Sequence, residues 1–197
     1  MYTPAPFRVD DPQWIEAFIA EYPFATLAAA VDGRVEATHL PLNRLDGRLC
    51  GHLAAGNPLA RLADGTEATA VFHGPHAYVS PRWYKGDFNV PTWNYAAVHC
   101  SGRLRYVDDR DTAWALFQGM VEVYEGGEGW RLPEEERYRT MLKGIRFFCL
   151  DECRFEAKAK FNQNKSADDI AAVVEALEAG GQAEAAAFMR RQVEGLE

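Results

Sequence analysis

Apolar positions recur along this chain with two different periods, and the switches between them predict its elements. Trp14, Ile15, Phe18 and Ile19 recur at helical spacing. Asp11 supplies a cap, Pro12 suits the first helical position, and Tyr22-Pro23 ends the run. From Phe24 the period shortens to two. FATLAAAV, an Asp32-Gly33 turn and RVEATHLPL predict a β-hairpin. A turn at Leu45-Asp46-Gly47 leads into the strand RLCGHLA, and Asn57-Pro58 opens a short helix running to about Asp64-Gly65. EATAVFHG is the next strand, and TWNYAAVHCSGRLRYV is a long one with Gly102 as a candidate bulge. Helices are predicted over 109–124 and 133–143, separated by Glu125-Gly126-Gly127-Glu128-Gly129. IRFFCLDECRFEAKA is the last long strand. Ser166 with Asp169 then resembles a capping box for a helix through Leu177, and Gly180-Gly181 precedes a final helix ending near Arg191.

About six strands in hairpin order, with helices around them, predict a mainly β (α+β) domain. The architecture expected is a six-stranded antiparallel barrel of Greek-key type. The barrel domain with its inserted helices is expected over 1–165, and 166–197 form a helical extension of the same domain.

One stretch departs from simple periodicity. His73 to His99 packs Tyr78, Trp83, Tyr84, Phe88, Trp93 and Tyr95 between Gly74-Pro75, Pro81 and Val90-Pro91. Prolines fix φ and remove a donor, which argues against one continuous helix or a central strand here. A stiffened loop carrying large rings with polar tips can wall a planar ligand, form a subunit interface, or fold back onto its own core.

The net charge of −8 argues against phosphate-driven DNA binding, which calls for a basic face; Arg103/Arg105 and Arg190/Arg191 are the local basic clusters. No apolar run is long enough to cross a bilayer and no secretory signal is visible, so a soluble cytoplasmic protein is expected. Cys50, Cys100, Cys149 and Cys153 are scattered; the last two would lie about 13 Å apart along a strand, too far for a disulfide with each other. Buried, reduced thiols are expected. The five histidines show no HxxxH pattern, so no metal site is expected. No nucleophile, general acid or general base is assigned.

Several residues have chemistry suited to a ligand. Asn57-Pro58 is an N-cap followed by proline, and the N–H groups of such a helix start favour a phosphate; an ordinary cap is the alternative. Strand alternation puts Thr38 and Leu40 on one face and His39 and Pro41 on the other, with His52 on the adjacent strand. Pro41 marks an edge with exposed main-chain groups, and both histidines also suit partly buried, hydrogen-bonded positions. Trp93, Asn94 and Tyr95 combine stacking surface with hydrogen-bonding groups, which also suits an interface plug. Lys160, Gln163 and Asn164 follow the last strand in a polar turn that can reach phosphate or hydroxyl oxygens of a ligand, or simply face solvent.

GPHAYVSPRWY followed by VPTWNYAAVH resembles the signature of the PaiB family, the FMN-binding negative transcriptional regulators. MYTPAPF, ATHLPL with GHLAAGNP, and KFNQNK match the family in order and spacing, so the resemblance covers nearly the whole chain. It implies the FMN-binding split barrel, a homodimer with flavin at the subunit interface, and Trp93, Asn94 and Tyr95 near the flavin. Family members commonly carry a basic residue just before the Asn-Pro step, where this chain has Ala55; Arg61, Lys160 or Lys165 would have to replace that cation. A flavin oxidoreductase using NAD(P)H is the alternative function, and a haem-binding or haem-degrading protein a further one.

Overall fold

Asp32 and Gly33 take φ of 50° and 75°, the left-handed pair that a two-residue hairpin turn requires. They join β2 (Phe24–Val31) to β3 (Arg34–Pro41), with Val31 opposite Arg34. Asp46 (48°) and Gly47 (76°) repeat the device between β4 (Asn43–Leu45) and β5 (Arg48–Ala54). The computed structural model describes residues 1–86, 88–127 and 129–194. Glu128 of the predicted glycine linker and 195–197 of the predicted extension thus lie outside the described residues.

The remaining elements, in chain order, start with β1 (Arg8–Val9) and α1 (Pro12–Glu21), whose Asp11 cap accepts from the Gln13 N–H. After β5 come β6 (Glu67–Val79), β7 (Thr92–Val107), α2 (Arg110–Glu125) and α3 (Glu136–Met141). The chain then runs through β8 (Ile145–Lys160), α4 (Ala167–Ala179) and α5 (Ala183–Glu194). Asp109 and Ser166 cap α2 and α4 through their side chains, as the sequence predicts.

The expectation of a six-stranded closed barrel needs correcting. The sheet has eight strands in the order β3-β2-β6-β7-β8-β5-β4, with β1 added beside β8, and no pairing joins its two ends among the described residues. The extra strands, β1 and β4, are two and three residues long, too short to show a period of two. The two ends of the path are consecutive in the chain, with only Leu42 between β3 and β4.

The reading of Gly74-Pro75 as a break is corrected as well. β6 runs through both residues and lies between β2 and β7. Its register with β2 ends at Phe72, so proline's missing N–H falls after that pairing has stopped.

The chain divides into two compact units. Met1–Phe18, His73–Val98 and the segment from Glu156 onward form the first. Its core stacks Trp14 on Phe18 and sets Phe188 edge-on to Phe18 and against Phe161, and Val173, Leu177 and Met189 are buried in the same unit. Gly74 is needed here because a Cβ would lie 2.6 Å from the Phe18 ring.

Ile19–Phe72 and His99–Phe155 form the second unit. β2 buries Ala25, Leu27 and Ala29 in strict alternation, opposite Phe72, Ala70 and Ala68 of β6. Beneath α2 lies a cluster of Cys50, Ala113, Met120, Phe147 and Cys149. Here the reduced-thiol expectation fails: Cys50 and Cys149 are register partners on β5 and β8, and they form a disulfide. They are 99 residues apart in sequence, so only the strand register reveals the pair. β7 continues through Gly102, and the residue with a left-handed φ (53°) is Glu152 on β8. Gly102 itself is required by the Asp151 carbonyl, 2.8 Å from where a Cβ would stand.

Candidate functional site

The expected ligand residues fall into two groups, one in each unit. In the first unit, β7 alternates Trp93 and Tyr95 outward with Asn94 inward. Asn94 is fully buried, its amide N–H donates to Met189 Sδ (3.7 Å), and its Oδ1 has no partner among the described residues. The predicted trio therefore divides between the two faces of the strand. Trp93 is 54% exposed and packs against His76 (6.0 Å) and edge-on to Tyr78 (6.2 Å), both on β6.

Lys160, the last residue of β8, donates from Nζ to Thr92 Oγ1 and to the Trp93 carbonyl (2.9 Å). Lys158 lies two residues earlier, which in a strand places both lysines on one face. Its Nζ sits 5.0 Å from the centre of the Tyr95 ring and donates to the Tyr2 carbonyl at 3.3 Å. Burial, and then the Lys158 charge, lower the Lys160 pKa from its ordinary value. A cation held partly out of water beside a second cation gains from a nearby anion. The exposed Trp93 ring and the half-buried Tyr95 ring next to them suit a flat, anionic ligand, although Lys158 itself is buried.

The turn after β8 is held by its own side chains. Gln163 donates to the Ala159 carbonyl (2.5 Å) and accepts from the Phe161 N–H (2.7 Å). Asn164 is exposed, and Lys165 donates to Asn89 Oδ1 (2.7 Å). Asn162, at φ 64°, donates to the Tyr84 hydroxyl at 2.6 Å. Asp169 of α4 accepts from the N–H groups of Lys85 (2.7 Å) and Gly86 (3.3 Å), and these bonds hold its carboxyl below the usual range. The PRWYKG segment is thus anchored on α4.

In the second unit, Asn57 caps a four-residue 3₁₀ helix, Pro58–Arg61. Its Oδ1 accepts from the Leu59 N–H (2.9 Å), its carbonyl accepts from the Ala60 N–H (3.0 Å), and Pro58 has no N–H. The donors expected to face a phosphate are consumed within the turn. The Asn57 amide N–H donates instead to Thr38 Oγ1 (3.1 Å), tying the turn to β3. His39 is exposed, bonded to Thr26 Oγ1 (3.0 Å) and stacked near Phe24, while Leu40 is buried. His52 is half-buried between Phe117 and Phe147. No cluster of three or more metal-ligating side chains occurs among the described residues.

Sequence reasoning missed Lys158 and His76, and named Tyr78 only among the rings of the His73–His99 stretch. Ending the last strand at Ala159 separated Lys158 from Lys160, and ending the earlier strand at Gly74 hid that His76 and Tyr78 share a strand.

The set of Lys158, Lys160, Trp93 and Tyr95 fits a cofactor with a flat ring system and a phosphate. Residues 1–151 match the family model described as "Putative FMN-binding domain". Protease synthase and sporulation protein PAI 2 of Bacillus subtilis is 36% identical, over 90% of this chain and 89% of that protein. In fold, the chain resembles an FAD and haem binding protein of Mycobacterium smegmatis, with TM-score 0.64, 17% identity, and 84% of this chain and 78% of that one covered. The flavocytochrome Anf3 of Azotobacter vinelandii also aligns with TM-score 0.64, at 15% identity over 78% and 69% of the two chains. By its match to the FMN-binding model and to PAI 2, this chain belongs to the PaiB family of flavin-binding proteins.

Proposed function

We propose that the chain is a homodimeric split-barrel flavoprotein that acts as a flavin-linked sensor in negative regulation of transcription. The observation that carries the reading is the pair of same-face lysines, Lys158 and Lys160, beside Trp93 and Tyr95. In this reading the lysines neutralise the phosphate of FMN, Trp93 and Tyr95 cover its ring, and Asn164 reaches its ribityl oxygens. Lys160 takes the place of the basic residue that Ala55 replaces. Bound FMN supplies the redox chemistry, and the chain binds, orients and shields it.

Regulation through a protein partner, in place of direct DNA contact, agrees with how the arginine clusters are spent. Arg103 is paired with Glu67 and Glu152, Arg105 with Asp64 and Asp151, and Arg190 with Glu178. Arginines neutralised in this way leave little charge for phosphates.

The test is to load the purified protein with FMN, remove the excess, and add NADPH or NADH anaerobically. Retained flavin without turnover supports a sensor. Multiple turnovers make the protein an oxidoreductase, and absence of retained flavin removes both readings. Haemin added to the same sample leaves its Soret band unchanged if the haem alternative is wrong.

A further inference from the structure

We propose a second ligand site, for a small uncharged phenol, in the cavity between α2 and the β3–β5 corner. It lies wholly within the second unit. The cavity has a volume of about 220 Å³ and is lined by Pro41, His52, Phe117, Met120, Val121 and Trp130, with Asn43 and Tyr124 at one side and Glu125 at another. That volume holds one six-membered ring with a few substituents, and drug-sized pockets run larger.

The chemistry of the walls selects the class. Phe117, Tyr124 and Trp130 offer ring faces, and the Met120 thioether favours aromatic neighbours. Asn43 and Tyr124 satisfy each other at 2.9 and 3.2 Å. The His52 ring has no hydrogen-bond partner among the described residues, and neither has the Trp130 indole N–H. Burial lowers the His52 pKa, so the ring is neutral near pH 7, with one nitrogen able to donate and the other to accept. A hydroxyl on an aromatic ring meets either need. A carboxylate-bearing ligand would find no cation on His52 and a like charge on Glu125, so the ligand is uncharged.

The experiment is isothermal titration of the intact, FMN-treated protein with 4-methylphenol and with toluene, which differ by the hydroxyl alone. The expected result is that 4-methylphenol binds about tenfold more tightly, the fold-change of one net hydrogen bond. His52→Leu should abolish that preference while toluene still binds, and Val121→Trp, which fills the cavity, should remove both. Far-UV circular dichroism and retained flavin serve as fold checks on each variant. No binding of either compound to the wild type overturns the site. Equal binding of the two, or a preference that survives His52→Leu, overturns the role of His52.

Discussion

Lys160 donates from Nζ to the main-chain oxygen of Trp93 at 2.9 Å. This bond fixes the charged end of the last strand to the start of the strand that carries the rings. The charge cannot be satisfied by a carbonyl alone, because a neutral acceptor leaves its net charge uncompensated. Lys158 adds a second charge on the same face, and burial first, then that charge, lower the Lys160 pKa.

Trp93 offers the largest exposed ring of this face. Trp93→Ala is expected to weaken either FMN binding or dimerisation while the monomer stays folded, because a 54% exposed side chain contributes little to the core. Flavin titration and light-scattering mass measurement check the two readouts. A variant normal in both contradicts the assignment.

Asn57 holds three partners with one side chain and one carbonyl. Asn57→Ala removes a cap and the Thr38 bond, and is expected to cost about 1 kcal/mol, lowering Tm by a few degrees. Thermal unfolding measures this directly. The parallel FMN titration asks whether Thr38 and the end of β3 matter to the cofactor; an unchanged affinity confines Asn57 to the fold.

The Cys50–Cys149 disulfide closes a separation of 99 residues. Cys149→Ala is expected to destabilise the chain by roughly 2–4 kcal/mol in denaturant unfolding, by freeing the unfolded ensemble. Mass spectrometry of the intact protein should show a gain of two hydrogens on reduction. An unreduced sample that already carries all its thiols contradicts the bond.

His52 gives the protein an acid-side sensitivity. Its folded pKa is depressed below 6.5 by burial, so the unfolded chain binds the proton more readily. The stabilisation is fully present above pH 6.5 and is lost as pH falls through the folded value. His52→Leu should flatten the slope of unfolding free energy in that window, as measured by urea titration at a series of pH values. A slope identical to the wild type assigns the sensitivity elsewhere.

Much of the fold was legible because its signals are local. Asp32-Gly33 and Asp46-Gly47 announce hairpins through the φ they permit, and Asp11, Asp109 and Ser166 announce helix starts through their side-chain oxygens. What was not legible depends on distant partners. Cys50 and Cys149 meet only once β5 and β8 are in register, and Pro75 is tolerated because β2 has stopped pairing by Phe72. The expected site residues were legible as types, but not by direction. Asn94 points inward while its neighbours Trp93 and Tyr95 do not, and Asn57 spends its donors and acceptors within its own turn and on Thr38.

The measurement that tests the flavin site most directly compares wild type, Lys160→Ala and Lys160→Arg after FMN loading and desalting, by visible absorption. The wild type should retain the two bands of oxidised flavin. Lys160→Ala should bind one to two decades more weakly, the scale of a charged hydrogen bond, and Lys160→Arg should recover part of that loss. A wild type that retains no flavin, or a Lys160→Ala variant that retains it undiminished, would contradict the lysine-and-ring face as the cofactor site.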